Sequence, residues 1–187
     1  MDRFEELLQL VKHHHISLQS YVETGCRDGG MLPQFEQAGW AVTGIEMDPG
    51  LAHYAAITVR AGCVHCGDSA KLIWEICQEI KEPTLFFLDA HWWGGYEECA
   101  ESDLPLLSEL AAIRTRPYAD FVVIDDAKLL GLPPDRCKPH KVDAGWTGAT
   151  RKAVQTALGR RRILRKGVEK RTKPQRMWLS LAEDKDG

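Results

Sequence analysis

Acidic side chains stand at the ends of five apolar runs in the first two thirds of the chain. The runs are rich in Val, Ile, Leu, Phe and Tyr, and the acids that end them are Glu23, Glu46, Asp68, Asp89 and Asp125. If the runs are parallel strands, their carboxyl ends meet at one edge of a sheet, where ligands bind in open α/β sheets. The pattern therefore predicts a single acidic site.

A glycine-containing turn follows the first of these runs. Glu23-Thr24-Gly25 ends the run, and Gly29-Gly30 precedes an apolar stretch of helical character. Glycines let the backbone turn sharply and approach a ligand closely. A dinucleotide site would need the spacing G-x-G-x-x-G, and Glu23 would repel a pyrophosphate. The turn is better suited to a ligand that carries an ammonium or sulfonium group.

The elements that position these residues alternate between strand and helix. Asp48 and Asp68-Ser69 stand where helices should begin, and Pro49 occupies the first helical position after Asp48. The expected apolar stripe of that helix consists of Leu51, Tyr54, Ala55 and Val59. This alternation predicts an α/β fold with a doubly wound, mostly parallel, Rossmann-like sheet and a C-terminal antiparallel hairpin. The predicted strands cover residues 21–23, 42–46, 63–66, 84–89, 119–125, 162–165 and 176–181, and the main helices cover 2–14, 31–38, 103–114 and 149–158.

The length of 187 residues suits one domain. We expect residues 1–16 to form an N-terminal helix that covers a sheet edge or the mouth of the site. Residues 128–150 contain several Pro and Gly and predict a lid or specificity loop, and residues 182–187 predict a disordered tail. The histidines at 13–15 are expected to be exposed at a helix end.

Charge and cysteine content limit the cellular context. From Thr150 onward there are 12 Lys and Arg against 4 Asp and Glu, although the whole chain has a net charge of -3. This basic segment could attract nucleic acid, but a solvated surface is favoured. Cys63 and Cys66 have a zinc-like spacing, but the segment is better explained as a buried strand. With no signal peptide or membrane span, we expect a cytoplasmic protein with free thiols and leave a homodimer open.

Taken together, these motifs resemble the class I S-adenosylmethionine-dependent methyltransferases over nearly the whole chain. Glu23, Gly25 and Gly29 resemble the first motif of that superfamily, which implies contact with the methionine part of the cofactor. The resemblance also implies that Glu46 binds the ribose hydroxyls, that Asp68 and Ser69 lie near the adenine, and that Asp89 is a further cofactor-binding residue. The predicted terminal hairpin is also typical of the superfamily.

The segments at Asp89 and at Asp125-Asp126 are similar to those of the cation-dependent small-molecule O-methyltransferases. The resemblance implies that these three acids bind Mg²⁺ or another divalent cation. Like charges about 4 Å apart repel by roughly 4 kcal/mol at an effective dielectric constant of 20, so the acids need a metal, a proton or a cationic ligand. The catecholic branch has a lysine where this chain has Trp92, which leaves the substrate and the base open.

The resemblance implies methyl transfer to a hydroxyl group of a small-molecule acceptor. Such a reaction needs alignment of the acceptor and removal of its proton. His91 is the first candidate for the base, beside Asp89, with Lys128 and His140 as weaker candidates, and a hydrogen-bonded loop histidine is an equal alternative. Trp92, Trp93 and Trp146 are candidates for the substrate wall. A nucleic-acid methyltransferase and a cofactor-binding module without turnover are the alternative functions.

Overall fold

In the part of the chain that the structure describes, seven strands form one sheet, and the first five of them are parallel. In chain order they are β1 (Ser20–Thr24), β2 (Ala41–Glu46), β3 (Cys63–Cys66), β4 (Thr84–Leu88), β5 (Phe121–Ile124), β6 (Ile163–Val168) and β7 (Met177–Leu181). Their order across the sheet is β3-β2-β1-β4-β5-β7-β6, and β7 is antiparallel to both of its neighbours. The computed structural model describes residues 3–14, 17–91, 104–132, 146–159, 163–168 and 176–181. The predicted fold class and the C-terminal hairpin are confirmed.

Helices cover both faces of the sheet. They are α1 (Arg3–His13), α2 (Leu32–Gln37), α3 (Pro49–Thr58), α4 (Ser69–Glu79), α5 (Leu106–Ile113) and α6 (Arg151–Ala157), with a short 3₁₀ helix at Ala127–Leu129. Buried residues of α1, α2 and α3 pack against one face, and those of α4, α5 and α6 pack against the other. The sheet is therefore doubly wound, as the alternation of strand and helix predicts.

The central strand β4 shows why the apolar runs become strands. All five of its residues are buried, and successive side chains of a strand point to opposite faces. Phe86 joins the core under α4 and α5, whereas Leu85 and Phe87 join the core under α1 and α2. A continuous apolar run is thus what a parallel strand between two helical layers requires.

The predicted helix caps are present. The Asp48 carboxylate accepts a hydrogen bond from the Leu51 N–H at 2.8 Å, and the Asp68 carboxylate accepts one from the Ala70 N–H at 2.9 Å. Each cap satisfies a backbone donor that has no partner within the helix. The two caps fix where α3 and α4 begin, next to the ends of β2 and β3.

Two details of the predicted packing are wrong. The buried residues of α3 are Ala52 and Ala55, whereas Tyr54 of the predicted apolar stripe is 56% exposed. Cys63 and Cys66 are exposed at the ends of β3. Because β3 is an edge strand with β2 as its single neighbour in the sheet, it is less covered than a central strand.

Several predictions fall outside the described residues. These are the tail at 182–187, most of the predicted loop (133–145), the turn of the hairpin, Trp92, Trp93 and His140. The described ends of the predicted loop lie together, since the Gly131 N–H donates to the Trp146 carbonyl at 2.9 Å. Among the described helices, none has the length and apolar character that crossing a membrane requires.

Candidate functional site

The register of the central strands brings their carboxyl ends to one edge. Thr24 pairs with Leu88, and Leu88 pairs with Ile124. The pairing continues past the strands, because the Asp89 N–H donates to the Thr24 carbonyl at 3.2 Å and the Asp125 N–H donates to the Leu88 carbonyl at 3.0 Å. The strand order reverses between β1 and β4, which is the position where ligands bind in doubly wound sheets.

The two glycines of the turn after β1 are required by close packing. Gly25 has φ +68°, and a Cβ atom there would lie 2.8 Å from the Asp89 carbonyl oxygen. Gly29 has φ +76°, and a Cβ atom there would lie 2.9 Å from the Ala55 side chain. Both positions favour glycine because of the backbone angle and because of the neighbouring chain. Contact of either glycine with a cofactor stays a prediction.

Glu23 is buried at the end of β1. Burial and the nearby charge of Asp89 raise the pKa of the Glu23 carboxyl to about 8, although a hydrogen bond with Tyr21 opposes the rise. Its Oε2 atom is buried and has no hydrogen-bond partner among the described residues. At neutral pH Glu23 therefore holds a proton for most of the time, and a cation placed beside it would favour its ionisation.

Glu46 and Asp68 stand at the ends of β2 and β3. The Glu46 carboxylate accepts hydrogen bonds from the backbone N–H groups of Arg27 at 2.8 Å and Asp48 at 2.9 Å. Asp68 uses Oδ1 for its helix cap, whereas its Oδ2 atom is buried without a partner in the described part of the chain. Each carboxylate oxygen has two lone pairs. Both groups can therefore accept further hydrogen bonds from a ligand.

Two arginines bind the acids at the ends of β4 and β5. Arg3 Nη1 lies 3.1 Å from Asp89 Oδ2, and Arg3 Nη2 lies 3.2 Å from Asp125 Oδ2. Arg176 Nε lies 3.3 Å from Asp125 Oδ1, and its guanidinium also pairs with Glu6 of α1. The pKa of Asp89 is raised by burial and by Asp125, an effect that Arg3 opposes. These contacts place the start of α1 over the site.

His91, Lys128 and Asp126 form the outer part of the same cluster. His91 Nε2 lies 3.4 Å from Asp126 Oδ2, and His91 Nδ1 lies 3.9 Å from Asp89 Oδ1. Lys128 Nζ lies 2.9 Å from Asp126 Oδ1. Asp126 has φ +47°, a conformation that Asp tolerates better than most residues. The imidazole thus lies between two carboxylates.

The three acids predicted to bind Mg²⁺ face cationic side chains of the chain itself, and their role as metal ligands stays a prediction. Asp89, Asp125 and Asp126 each lie in an ion pair with an Arg or a Lys. In the described ranges, no group of three His, Cys, Asp or Glu side chains is arranged to hold a metal ion. A divalent cation would need these oxygens as ligands, and at least one oxygen of each acid already faces a guanidinium or ammonium group.

A crevice opens between the ends of β4 and β5 and the start of α5. It encloses about 200 Å³, counted with the open space at its mouth. Leu88, Ile124 and Trp146 supply apolar walls, and His91 and Glu109 are among the polar residues that line it. Trp146 is 3% exposed and contacts the His91 ring edge-to-face, with 5.5 Å between the ring centroids.

Glu109 is fully buried, and neither of its carboxylate oxygens has a hydrogen-bond partner within the described residues. Burial raises the pKa of its carboxyl to about 7, although the hydroxyl groups of Ser69 and Thr24 oppose the rise. Burial without a basic partner thus favours the neutral form of this carboxyl more than in an ordinary Glu.

Sequence reasoning missed Arg3, Arg176 and Glu109 as members of this region. Arg3 stands in the first turn of a helix that we expected at a sheet edge or the site mouth, which is the signal that points to it. Arg176 immediately precedes β7, beside β5. Glu109 lies within the apolar face of α5, where a lone acid is the unusual feature. None of the three lies near the acidic strand ends in the sequence.

Comparisons with known proteins support the fold. No family model matches the sequence, and a search of curated proteins found no match. A candidate O-methyltransferase from Klebsiella pneumoniae has a TM-score of 0.64 at 13% identity, with 96% of this chain and 80% of that chain covered. An S-adenosylmethionine-dependent methyltransferase from Clostridium acetobutylicum has a TM-score of 0.58 at 10% identity, with 96% and 89% covered.

A third structure is the TehB-like S-adenosylmethionine-dependent methyltransferase from Corynebacterium glutamicum. It has a TM-score of 0.53 at 13% identity, and the match covers 96% of each chain. The chain has the fold of the class I S-adenosylmethionine-dependent methyltransferases, as the sequence motifs predict.

Proposed function

We propose that this protein is an S-adenosylmethionine-dependent methyltransferase that acts on a hydroxyl group of a small molecule. The observation that carries the proposal is the row of acidic residues at the switch point of the sheet, with buried oxygens of Glu23 and Asp68 that lack partners in the described chain. Buried polar atoms without hydrogen bonds are costly. A ligand with several polar groups would satisfy them.

The residues fit S-adenosylmethionine, which supplies a methyl group on a positively charged sulfur when bound. Glu46, with both oxygens oriented by backbone N–H groups, is suited to accept hydrogen bonds from the ribose hydroxyls. The Oδ2 atom of Asp68, which has no partner among the described residues, is suited to an adenine amino group, with Ser69 beside it. Glu23 and Asp89 lie at the ends of β1 and β4, where the positive charge of the methionine part would favour ionisation of the buried Glu23 carboxyl.

His91 is the proposed base. It lies between Asp89 and Asp126, which would orient the imidazole and stabilise it after it takes a proton from the acceptor hydroxyl. Lys128 is the weaker candidate because its ammonium pairs with Asp126 at 2.9 Å. The crevice beside His91 has apolar walls and a few polar groups, which is the lining typical of a small-molecule site.

Calorimetric titration with S-adenosylhomocysteine tests the cofactor site. We expect micromolar binding by the unaltered protein, weakened about tenfold or more in Glu46→Gln and Asp68→Asn because each loses a charged acceptor. Glu75→Gln alters an exposed acid of α4 and should leave the affinity unchanged. His91→Gln should retain binding while losing turnover in an acceptor screen.

NAD serves as the control ligand in the same titration. Absence of S-adenosylhomocysteine binding, or binding that Glu46→Gln and Asp68→Asn leave unchanged, would contradict the proposed cofactor site. Binding in the absence of methylation across sugar, phenolic and nucleic-acid acceptors would favour a cofactor-binding module instead.

A further inference from the structure

The start of α1 places a guanidinium group between two acids that the sequence assigns to a metal. Arg3 binds one oxygen of Asp89 through Nη1 at 3.1 Å and one oxygen of Asp125 through Nη2 at 3.2 Å. Its Cζ atom also lies over the Phe87 ring, 5.4 Å from the centroid. The planar guanidinium therefore links the ends of β4 and β5, because its two amino groups match two separate carboxylates.

Two further oxygens of the cluster face other cationic side chains. Arg176 faces the second oxygen of Asp125 at 3.3 Å, and Lys128 faces Asp126 at 2.9 Å. Arg176 also pairs with Glu6, one helical turn after Arg3. Three acids thus meet three side chains that carry permanent positive charge, and the repulsion that called for a metal ion is compensated within the chain.

The partial burial of the two acids strengthens these ion pairs. The Asp125 side chain is 8% exposed and that of Asp89 is 16% exposed, whereas that of Arg3 is 42% exposed. Ion pairs of partly buried carboxylates are screened by solvent less than surface pairs are. Removal of Arg3 would leave Asp89 without a guanidinium group and Asp125 with Arg176 alone, and the added negative charge at this protected edge would favour binding of another cation.

We infer that Arg3 supplies from within the chain the positive charge that a divalent cation supplies in cation-dependent methyltransferases, and that it positions Asp89 and Asp125 for methyl transfer. This inference rests on the proposed function. It assigns α1 to the site as a positioning element. Methyl transfer by this protein then needs no divalent cation as long as α1 is docked.

Manganese binding and methyl transfer, measured on Arg3 variants, test the inference. Mn²⁺ binding is followed by electron paramagnetic resonance, which needs no acceptor or turnover. The unaltered protein should bind no Mn²⁺ at this edge, and its activity should be unchanged by a chelator. Arg3→Met should bind Mn²⁺ through Asp89 and Asp125 and lose about tenfold or more in kcat/KM. Added Mn²⁺ should restore part of that loss.

Arg3→Lys and Lys12→Met are the matched variants. Arg3→Lys keeps the charge without the two-armed geometry and should stay free of Mn²⁺, with a smaller loss of activity. Lys12→Met removes an exposed charge from the other end of α1 and should behave as the unaltered protein. Circular dichroism of each variant shows whether the fold is retained.

Two results would overturn the inference. In the first, the unaltered protein binds Mn²⁺ with the same affinity as Arg3→Met. In the second, a chelator removes the activity of the unaltered protein and Mg²⁺ restores it. Failure of the proposed function looks different, because S-adenosylhomocysteine would then bind to none of the variants whatever their affinity for Mn²⁺.

Discussion

At the scale of single residues, burial sets the charge state of the acids in this protein. Glu23 and Glu109 are both fully enclosed, and the pKa of each carboxyl is raised because burial disfavours the ionised form. The pKa of Asp89 is raised in the same way, and Arg3 opposes the rise. The acids that look equivalent in the sequence therefore differ in charge, and their neighbours decide the difference.

Glu109→Gln tests the protonation of a buried acid. The pKa of Glu109 is raised from 4.5 in its ordinary state to about 7 in the folded protein. The folded state thus holds the proton more tightly than the unfolded state, so stability is lost as the pH rises between these two values. The difference in the free energy of unfolding between Glu109→Gln and the unaltered protein should therefore shift in favour of the variant, by up to about 3 kcal/mol, as the pH rises from 4 to 8.

Urea unfolding at both pH values measures this change. Glu75→Gln, an exposed substitution on α4, is the control and should show no such gain. An equal effect of Glu109→Gln at both pH values would mean that Glu109 ionises normally.

At the scale of elements, a buried arginine fixes the edge of the sheet opposite the site. Arg116 is 1% exposed and pairs with Asp120, with 3.0 Å between Nε and Oδ2. The same guanidinium donates to the backbone carbonyls of Cys77, Ile80 and Glu82. One side chain therefore holds together the end of α4 and the segments that precede β4 and β5.

Arg116→Met should destabilise the fold by about 3 to 5 kcal/mol. The reason is that the buried Asp120 carboxylate would lose its guanidinium partner and three carbonyls would lose a donor. Chemical denaturation measures the loss, and Arg151→Met on the exposed face of α6 is the control. The double variant Arg116→Met/Asp120→Leu should recover part of the stability, and a loss below about 1 kcal/mol in the single variant would contradict the assignment.

At the scale of the whole molecule, the seven-stranded sheet connects the first helix to the last strand. Arg3 and Glu6 of α1 meet Asp89, Asp125 and Arg176, which follow β4, follow β5 and precede β7. Both faces of the sheet carry large buried clusters. This continuity supports the prediction of one domain that unfolds as a unit.

Scanning calorimetry tests cooperative unfolding and its coupling to the ligand. We expect one transition with equal calorimetric and van't Hoff enthalpies. S-adenosylhomocysteine at a concentration of 100 times Kd should stabilise the folded state by about 2.7 kcal/mol, because it binds the folded state alone. Two transitions, one of them insensitive to the ligand, would show that the chain unfolds in separate parts.

Local pattern determined the elements of the fold. The apolar runs, the glycine turn after Glu23 and the caps at Asp48 and Asp68 predicted the strands and helices close to their observed ends. The acids at the strand ends followed from the same runs. These features depend on residues close together in the sequence, and for that reason periodicity and turn chemistry reveal them.

Tertiary structure decided which groups meet the acids. Arg3 and Asp89 are 86 residues apart, and the spacing of side chains along α1 does not show which strand end they reach. The exposure of Tyr54 and of the ends of β3 likewise depended on neighbours that the local sequence does not specify. The sequence by itself determined the sheet and its row of acids. The packing of distant segments determined that Arg3 and Arg176 balance their charge, because an ion pair depends on distance in space.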